Sequence, residues 1–448
     1  MADKKDKLLT AAIDFGTTYS GYAFSFEYDY KVDPLKISTN PNWVAGSRGL
    51  VSLKAPTCVL LSPNKEFITF GYEAEDLYAE LALDENHIYH YFFKGFKIFI
   101  DEKGQLSKSM LIKDDKGNEA PALYVFAQVI RYLKNHLLSA LDTKNTTINN
   151  EDIHWVLPVP ALWTCSAKQF MREAANKAGI LTEQLTLCLE PEAASLYCQR
   201  IPSTKLIGSP VTRPFLSFSA GTKFMIIDLG GKTVDISIYQ KQSNGTYKEL
   251  HRPTRGPWGG TEVDKAFHLM IIKIFGASCF QKVKDDFKAD DLDIHRELET
   301  KKRIIKPESN SKITIKLPIS LVTTFEEETG EKMKEMIQQT QYAHKMTWHT
   351  DKLRMEAGLF KELFREPINM LVEHLQQLMS EDNLSDVSTL LMVGGFSESP
   401  IMQDAIMKAF PAKRVIVPVD AGLAVLKGAV LFGHQSNSIL ESNPPGLL

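Results

Sequence analysis

Short apolar runs that end in an acid and glycines alternate along this chain with longer segments whose apolar residues recur at helical spacing. The sharpest run of the first kind is Lys223 to Tyr239, KFMIIDLGGKTVDISIY. Phe224, Met225, Ile226 and Ile227 form a short buried strand, Asp228 closes it, and Gly230–Gly231 supply a turn. Val234, Ile236 and Ile238 then alternate with Asp235, Ser237 and Tyr239, as in a half-buried partner strand. Ala11 to Phe24, AAIDFGTTYSGYAF, repeats the plan with Asp14, Gly16, Thr17–Thr18 and Gly21. A single unit of this kind reads as an ordinary Asp-Gly hairpin. Two predict two lobes, each offering an acid and a Gly/Thr loop to a shared phosphate chain. Glycines let backbone N–H groups approach a phosphate, Thr233 can donate a hydroxyl, and Asp228 can hold a divalent cation through water. Neither loop is a Walker A motif, because a strand and not a helix follows Gly231-Lys232-Thr233.

The remaining pattern predicts strands at Thr57 to Leu61 and Phe67 to Gly71, a helix at Glu73 to Leu83, and an aromatic-rich segment from His87 to Ile100. Pro121 to Leu141 reads as one long amphipathic helix. A strand at Ile153 to Pro160 and a helix from Ser166 to Gly179 follow, then a short strand at Leu185 to Leu189 leading into Glu190-Pro191-Glu192 and a helix from Ala193 to Gln199. Residues 201–222, rich in Pro, Ser and Thr, mark a lobe boundary. Beyond the second hairpin come RGPWGG (Arg255 to Gly260), a helix from Thr261 to Phe275, a charged helix from Leu292 to Lys306 and an edge strand at Lys312 to Leu317. A long helical region is expected from Glu326 to Ser380, broken around Met346 to Asp351 and at Pro367. Strand Thr389 to Val393, turn Gly394–Gly395, helix Pro400 to Phe410, strand Arg414 to Val417 and helix Ala421 to Phe432 complete the order.

With 44% hydrophobic and 24% charged residues the chain has the composition of a soluble globular protein, and 448 residues suffice for two lobes with their own cores. A net charge of −3 gives no general attraction to nucleic acid or anionic membrane. The five cysteines form no C-x-x-C pair and no metal-ligand spacing. The start, MADKKDKLL, is not that of a signal peptide, and no apolar run approaches the ~20 residues of a membrane helix. A cytoplasmic or nuclear, reduced setting is expected.

Five segments taken together carry a resemblance. IDFGTTYSGYAF resembles the first phosphate loop of the actin, sugar-kinase and 70-kDa heat-shock protein superfamily, and IIDLGGKTVDISI its second. WVLPVPALWTCSAKQFMREAANKAG resembles the first connecting segment, LLMVGGFSESPIM the adenosine loop, and DAGLAVLKGAVLFG the second connecting segment. IDFGTT, EPEAAS and GLAVLKGAVLFG look most like the heat shock 70 kDa protein 12 branch. The resemblance spans Ala11 to Gly433 and implies an α/β, two-lobed actin-like ATPase fold of duplicated ribonuclease H-like sheets with flanking helices. It would divide into lobe I (residues 1–205), lobe II (206–432, with a helical subdomain over about 261–380) and a short tail (433–448).

The same resemblance implies ATP or ADP with Mg²⁺ as the ligand. Asp14 and Asp228 would hold the metal through its waters, with Gly16, Thr17, Thr18 and Tyr19 wrapping the phosphates from one side and Gly230, Gly231, Lys232 and Thr233 from the other. Glu190 matches an acid that orders metal and attacking water. Lys97, with Lys94 as the fallback, matches a lysine that positions that water and stabilises charge on the transferred phosphoryl group. Gly260, Glu299, Lys302 and Arg303 would line ribose and adenine, with Gly394–Gly395 under the base. The bland alternatives are a surface lysine snorkelling from an aromatic cluster for Lys97 and a helix N-cap for Glu190.

Four positions depart from the family pattern. Lys232 replaces a glycine of the second phosphate loop, Glu398 an arginine that stacks near adenine, Lys306 a serine of the adenosine face, and Lys168 an arginine of the first connecting segment. The short stretch after Phe432 leads to the expectation that this chain alone is not a peptide-binding chaperone. The expected function is slow Mg-dependent ATP hydrolysis. The rivals are a nucleotide-sensing adaptor with an unidentified protein partner, and a small-molecule kinase, for which no motif supplies a base aimed at a bound hydroxyl.

Overall fold

The computed structural model describes residues 7–46, 50–102, 106–142, 148–208, 219–244 and 246–439. Each hairpin nucleates one sheet, and the two sheets share a plan. In the first, strands Leu9–Phe15 and Tyr19–Phe26 pair antiparallel, and Ile153–Val159 and Leu185–Leu189 add in parallel on the far side of Leu9–Phe15. In the second, Lys223–Leu229 and Val234–Lys241 form the hairpin, with Thr389–Val393 and Arg414–Pro418 parallel beside Lys223–Leu229. A third antiparallel strand lies outside each hairpin: Ser38–Thr39 in the first sheet and the longer Tyr247–Gly256 in the second. Leu9–Phe15 is buried at all seven positions, as a strand covered by helices on both faces must be.

Helix Ala122–Asp142 covers one face of the first sheet through Val125, Phe126, Val129, Ile130, Leu133, Leu137 and Leu141, all buried. Phe126 stacks on Phe15 at 5.1 Å, which fixes the strand end that carries Asp14. In the second lobe, helix Thr261–Phe275 buries Val263, Phe267, Ile271 and Ile274 in a core shared with Ile227, Ile236 and Ile238 of the sheet.

The longest disagreement with the sequence pattern falls in the region expected to be helical from Glu326 to Ser380. Two helices, Ile319–Thr329 and Met333–Gln339, lead into a β-hairpin, Met346–His349 and Lys352–Met355, which pairs with Ile313–Lys316 as a three-stranded sheet. The strand Met346–His349 falls on the break expected around Met346 to Asp351, but the burial of Met346, Trp348, Leu353 and Met355, a period-two pattern, was not read as a hairpin. Pro367 breaks nothing: it sits in the first turn of helix Arg365–Met379, where its missing N–H is not needed. The charged helix runs Lys288–Ile304, and the helix after the third parallel strand starts at Glu190 itself.

The final helix is Ala424–Ile439, which continues past the expected end at Phe432; residues 440–448 of the expected tail lie outside the described residues. It packs on helix Glu190–Arg200 and on strands Leu9–Phe15 and Ile153–Val159, so a segment placed with lobe II on sequence grounds rests against lobe I. The two helices approach so closely at Gly428 that a Cβ there would overlap the carbonyl of Ala193, and one at Gly433 would press on Thr10 and Val156. A backbone carbonyl cannot yield as a side chain can. Gly428→Ala is therefore expected to destabilise the protein by about 1–3 kcal/mol despite alanine's better helix propensity. Gly358→Ala, in a helix where a Cβ meets nothing within 4 Å, should be neutral or mildly stabilising. Urea unfolding of the two variants reads the contrast.

Candidate functional site

The two hairpin turns face each other across the cleft. A Cβ on Gly231 of the second turn would fall on the side chain of Thr18 in the first. The first turn is pinned from behind. Thr57 donates its hydroxyl to Gly16 O at 2.8 Å and its amide to Thr18 O at 2.8 Å, while Gly16 N donates to Ser20 Oγ at 3.2 Å. The second is pinned by the start of helix Thr261–Phe275, where Gly260 N donates to Gly230 O at 3.2 Å and Thr261 N to Gly231 O at 2.8 Å. The bonds from Thr57, Gly260 and Thr261 take up loop carbonyls on the protein side, the arrangement that turns an amide edge toward an anion, while the Gly16 amide is engaged by Ser20.

Strand register places the acids. Asp14 lies opposite Gly21, and Asp228 opposite Asp235. Glu190, the first residue of its helix, is 8% exposed. The N-cap of that helix is Leu189, with no side-chain cap bond, so Glu190 is not the cap the bland reading made it. A small recess is bounded by Glu190, Asp228, Asp235 and Ser237. Burial, with Glu190, Asp235 and Asp14 as like charges, pushes the Asp228 carboxyl up to about 8. Glu190 is also raised by burial, against the pull of Lys97, and by Asp235 and Asp14.

Three cations answer these acids. Lys97 is buried, donates to Glu190 Oε1 at 3.2 Å, and lies 5.1 Å from the centre of the Trp163 ring. It is not a snorkelling surface lysine. Lys94 is instead tied to Glu75 at 2.9 Å, so Lys97 and not the fallback reaches Glu190. Arg255 donates from Nε to Asp235 Oδ1 at 2.7 Å and pairs across the cleft with Asp101, which also accepts from Trp163 Nε1 at 2.6 Å. Lys54 donates to Asp14 Oδ2 at 2.5 Å. Thr233 Oγ1 donates to Asp235 Oδ2 at 3.4 Å.

The residues expected on the adenosine side gather less uniformly. Lys302 is buried and bound to Gly260 O (3.0 Å), Asp264 (2.6 Å) and Glu299 (3.1 Å). Its cationic charge and that of Arg303 outweigh burial and hold the Glu299 carboxyl down to about 2. Gly260 borders Phe396, a Cβ on it falling 3.3 Å from the ring. Gly394, at φ +86°, abuts Asp228 so closely that a Cβ would strike Asp228 Oδ1, and Gly395 begins the short helical turn that ends at Glu398. Glu398 accepts from Gly422 N at 2.9 Å. Lys306 is exposed past the end of its helix, and no described hydrogen bond or ion pair ties its side chain to the Lys302 network.

Two placements differ from expectation. Tyr19, expected at the phosphates, has its ring 6.0 Å from Arg303, one of the residues expected to line ribose and adenine. Lys232, expected to wrap the phosphates, reaches over the cleft to Gly95 O at 3.4 Å, a contact with the other lobe. Sequence reasoning passed over Lys54, Asp235, Arg255, Asp101 and Trp163. Only Asp235 carried a local signal, its place on the polar side of the second hairpin opposite Asp228.

The fit of a hydrated divalent cation can be judged from the donors. They are carboxylate oxygens alone, the donor class magnesium takes, and Asp228 is raised by neighbouring negative charge that a cation would relieve. Among the described residues no group of three or more acidic, histidine or cysteine side chains is placed to hold a metal ion. Among these residues, too, no helix is long and apolar enough to cross a membrane.

Comparison with known proteins agrees with the duplicated sheets. The family profile described as Hsp70 protein matches residues 94–441. Heat shock 70 kDa protein 12B of Homo sapiens is 34% identical over 486 aligned positions, covering 98% of this chain and 70% of that protein. Heat shock 70 kDa protein 12A of Mus musculus is 33% identical, covering 97% and 70%. Chaperone protein dnaK1 of Synechocystis sp. is 25% identical over 62% of this chain and 34% of its own length.

Asp228 gives a pH test. Its carboxyl titrates near 3.8 in the unfolded chain and near 8 in the fold, so folding is penalised progressively as pH rises between those values. With divalent cations chelated, Asp228→Asn should raise the melting temperature over wild type at pH 8 and leave it nearly unchanged at pH 4, the gap growing by at most about 1.4 kcal/mol per pH unit. Parallel melts at the two pH values check the slope.

Proposed function

The chain belongs to the Hsp70 family, within the branch of the heat shock 70 kDa proteins 12, and on that premise we propose that it binds ATP and hydrolyses it slowly with the help of Mg²⁺. One observation carries this reading: two pinned Gly/Thr turns abut across a cleft whose floor holds Asp14, Asp228 and the Lys97–Glu190 pair. Phosphoryl transfer to water leaves a protein little covalent work, so positioning and charge neutralisation suffice.

In this proposal the amides of Thr17 to Tyr19 and of Gly231 to Thr233 hold the phosphates. Gly260, Lys302 and Phe396 flank the nucleoside, with Gly394–Gly395 beneath it. Asp14 and Asp228 would hold Mg²⁺ through waters; when bound, it neutralises charge on the phosphate oxygens. Glu190 accepts a hydrogen bond from the attacking water, and Lys97 donates to the oxygen on which negative charge grows. The Lys97–Glu190 contact keeps these two groups within reach of one another before ligand arrives. Lys232, anchored over the cleft at Gly95, closes the second turn against the first lobe and favours retention of bound nucleotide. That retention also supports the second reading, a nucleotide sensor with little turnover.

ATP or ADP with Mg²⁺ should stabilise the protein by ~2.7 kcal/mol at a ligand concentration ~100-fold above Kd. No shift in melting temperature at millimolar nucleotide would overturn the binding assignment. Single-turnover hydrolysis separates enzyme from sensor: Lys97→Ala is expected to slow it ~10²–10³-fold while ADP affinity stays within a few-fold of wild type. Equal rates for the two proteins would remove Lys97 from the site.

A further inference from the structure

Lys54 stands on the floor of the cleft and is built into place. Its segment is held by Ala55–Pro56 pairing with Tyr19–Ser20, and by Asn40, which donates to Leu53 O at 2.8 Å and accepts from Tyr22 N at 3.0 Å. The side chain then crosses the hairpin over Gly21, where an added Cβ would come within 3.2 Å of Lys54 Cγ. Gly21 is the residue opposite Asp14, so a glycine there opens the path by which the lysine reaches that carboxylate. Its ammonium is drawn first to Asp14 and then to Asp228 and Glu398. It therefore feels carboxylates from both lobes while touching one of them at 2.5 Å.

We propose that Lys54 is a built-in counter-ion of the cleft: its ammonium takes the position beside Asp14 that a hydrated divalent cation would otherwise hold, so a nucleoside polyphosphate can bind without metal. The second half of this statement rests on the nucleotide reading above; the first does not. A single positive charge so close to Asp14 lowers the demand for a cation there and must be displaced before one enters, which makes lysine and metal competitors. Phosphate oxygens arriving from the two turns meet an ammonium that can bridge them to Asp14, because Lys carries three donors and Asp14 uses one.

Two titrations test this. In the first, Mn²⁺ is titrated by electron paramagnetic resonance into nucleotide-free protein. Lys54→Met should bind Mn²⁺ at least about tenfold more tightly than wild type, and Lys54→Arg should resemble wild type. Lys54→Gln, which keeps a donor for Asp14, replaces the methionine variant if that one does not fold. Equal Mn²⁺ affinity in wild type and the neutral variant overturns the counter-ion role. In the second, ADP is titrated in excess EDTA. Wild type should bind within about tenfold of its affinity in Mg²⁺, and the neutral variant should lose about tenfold or more in EDTA but much less in Mg²⁺. Wild-type binding that vanishes in EDTA, or a neutral variant that keeps wild-type affinity there, overturns metal-free binding. A gain in Mn²⁺ affinity with no ADP binding in any buffer would uphold the counter-ion and sink the nucleotide reading instead.

Discussion

The rest of the cleft depends on one electrostatic constraint: four carboxylates stand together at its base, Asp14 and Glu190 buried, Asp228 and Asp235 half-buried. Burying like charges together is costly, and each must be matched or kept protonated. Three of the four have a fixed cation, Lys54 for Asp14, Lys97 for Glu190 and Arg255 for Asp235. Asp228 pairs with none of the three directly, and burial among like charges pushes its carboxyl up to about 8. The long aromatic segment that brings Lys97 inward and the extended third strand that brings Arg255 both serve this balance.

Because the two lobes repeat one plan, their differences are informative. The strand position that holds Gly21 in the first hairpin holds Asp235 in the second. A glycine leaves room for a lysine from an adjoining segment to reach the acid behind it. An aspartate fills that room and instead recruits Arg255 from the neighbouring strand, its register partner. Duplicated backbone thus supports two unlike charge arrangements, one centred on Asp14–Lys54 and one on Asp235–Arg255.

What was legible in the sequence follows from range. Asp14, Asp228 and their turns are local signals, a short apolar run closed by an acid and glycines, and strand boundaries there fell within a residue or two. Glu190 and Lys97 came from resemblance, and their mutual contact spans 93 residues of chain. Lys54 was invisible: nothing in its neighbours tells that Ala55–Pro56 will pair with Tyr19–Ser20 and send its side chain over Gly21. The hairpin Met346–His349 and Lys352–Met355 was lost to a different cause. Its strands are four residues each, too short for period two to stand out against flanking helices. The final helix was recognised, but its seat on the first lobe was not, since helical periodicity gives a buried face and no address for it.

That seat has a mechanical consequence. The chain passes from the first lobe to the second after helix Glu190–Arg200, and returns between strand Arg414–Pro418 and helix Ala424–Ile439. The strands on the second-lobe side of these passages, Leu206–Gly208 and Arg414–Pro418, are hydrogen-bonded neighbours, and the helices on the first-lobe side pack against each other through Gly428. Two connections lying side by side act as a hinge: they resist separation and shear but leave rotation about the line between them comparatively soft. Opening would then be felt most at the rim far from the connections, where Arg296 grips Glu75 and Asp76. Those rim contacts, having the longest lever arm, would set how readily the jaws part.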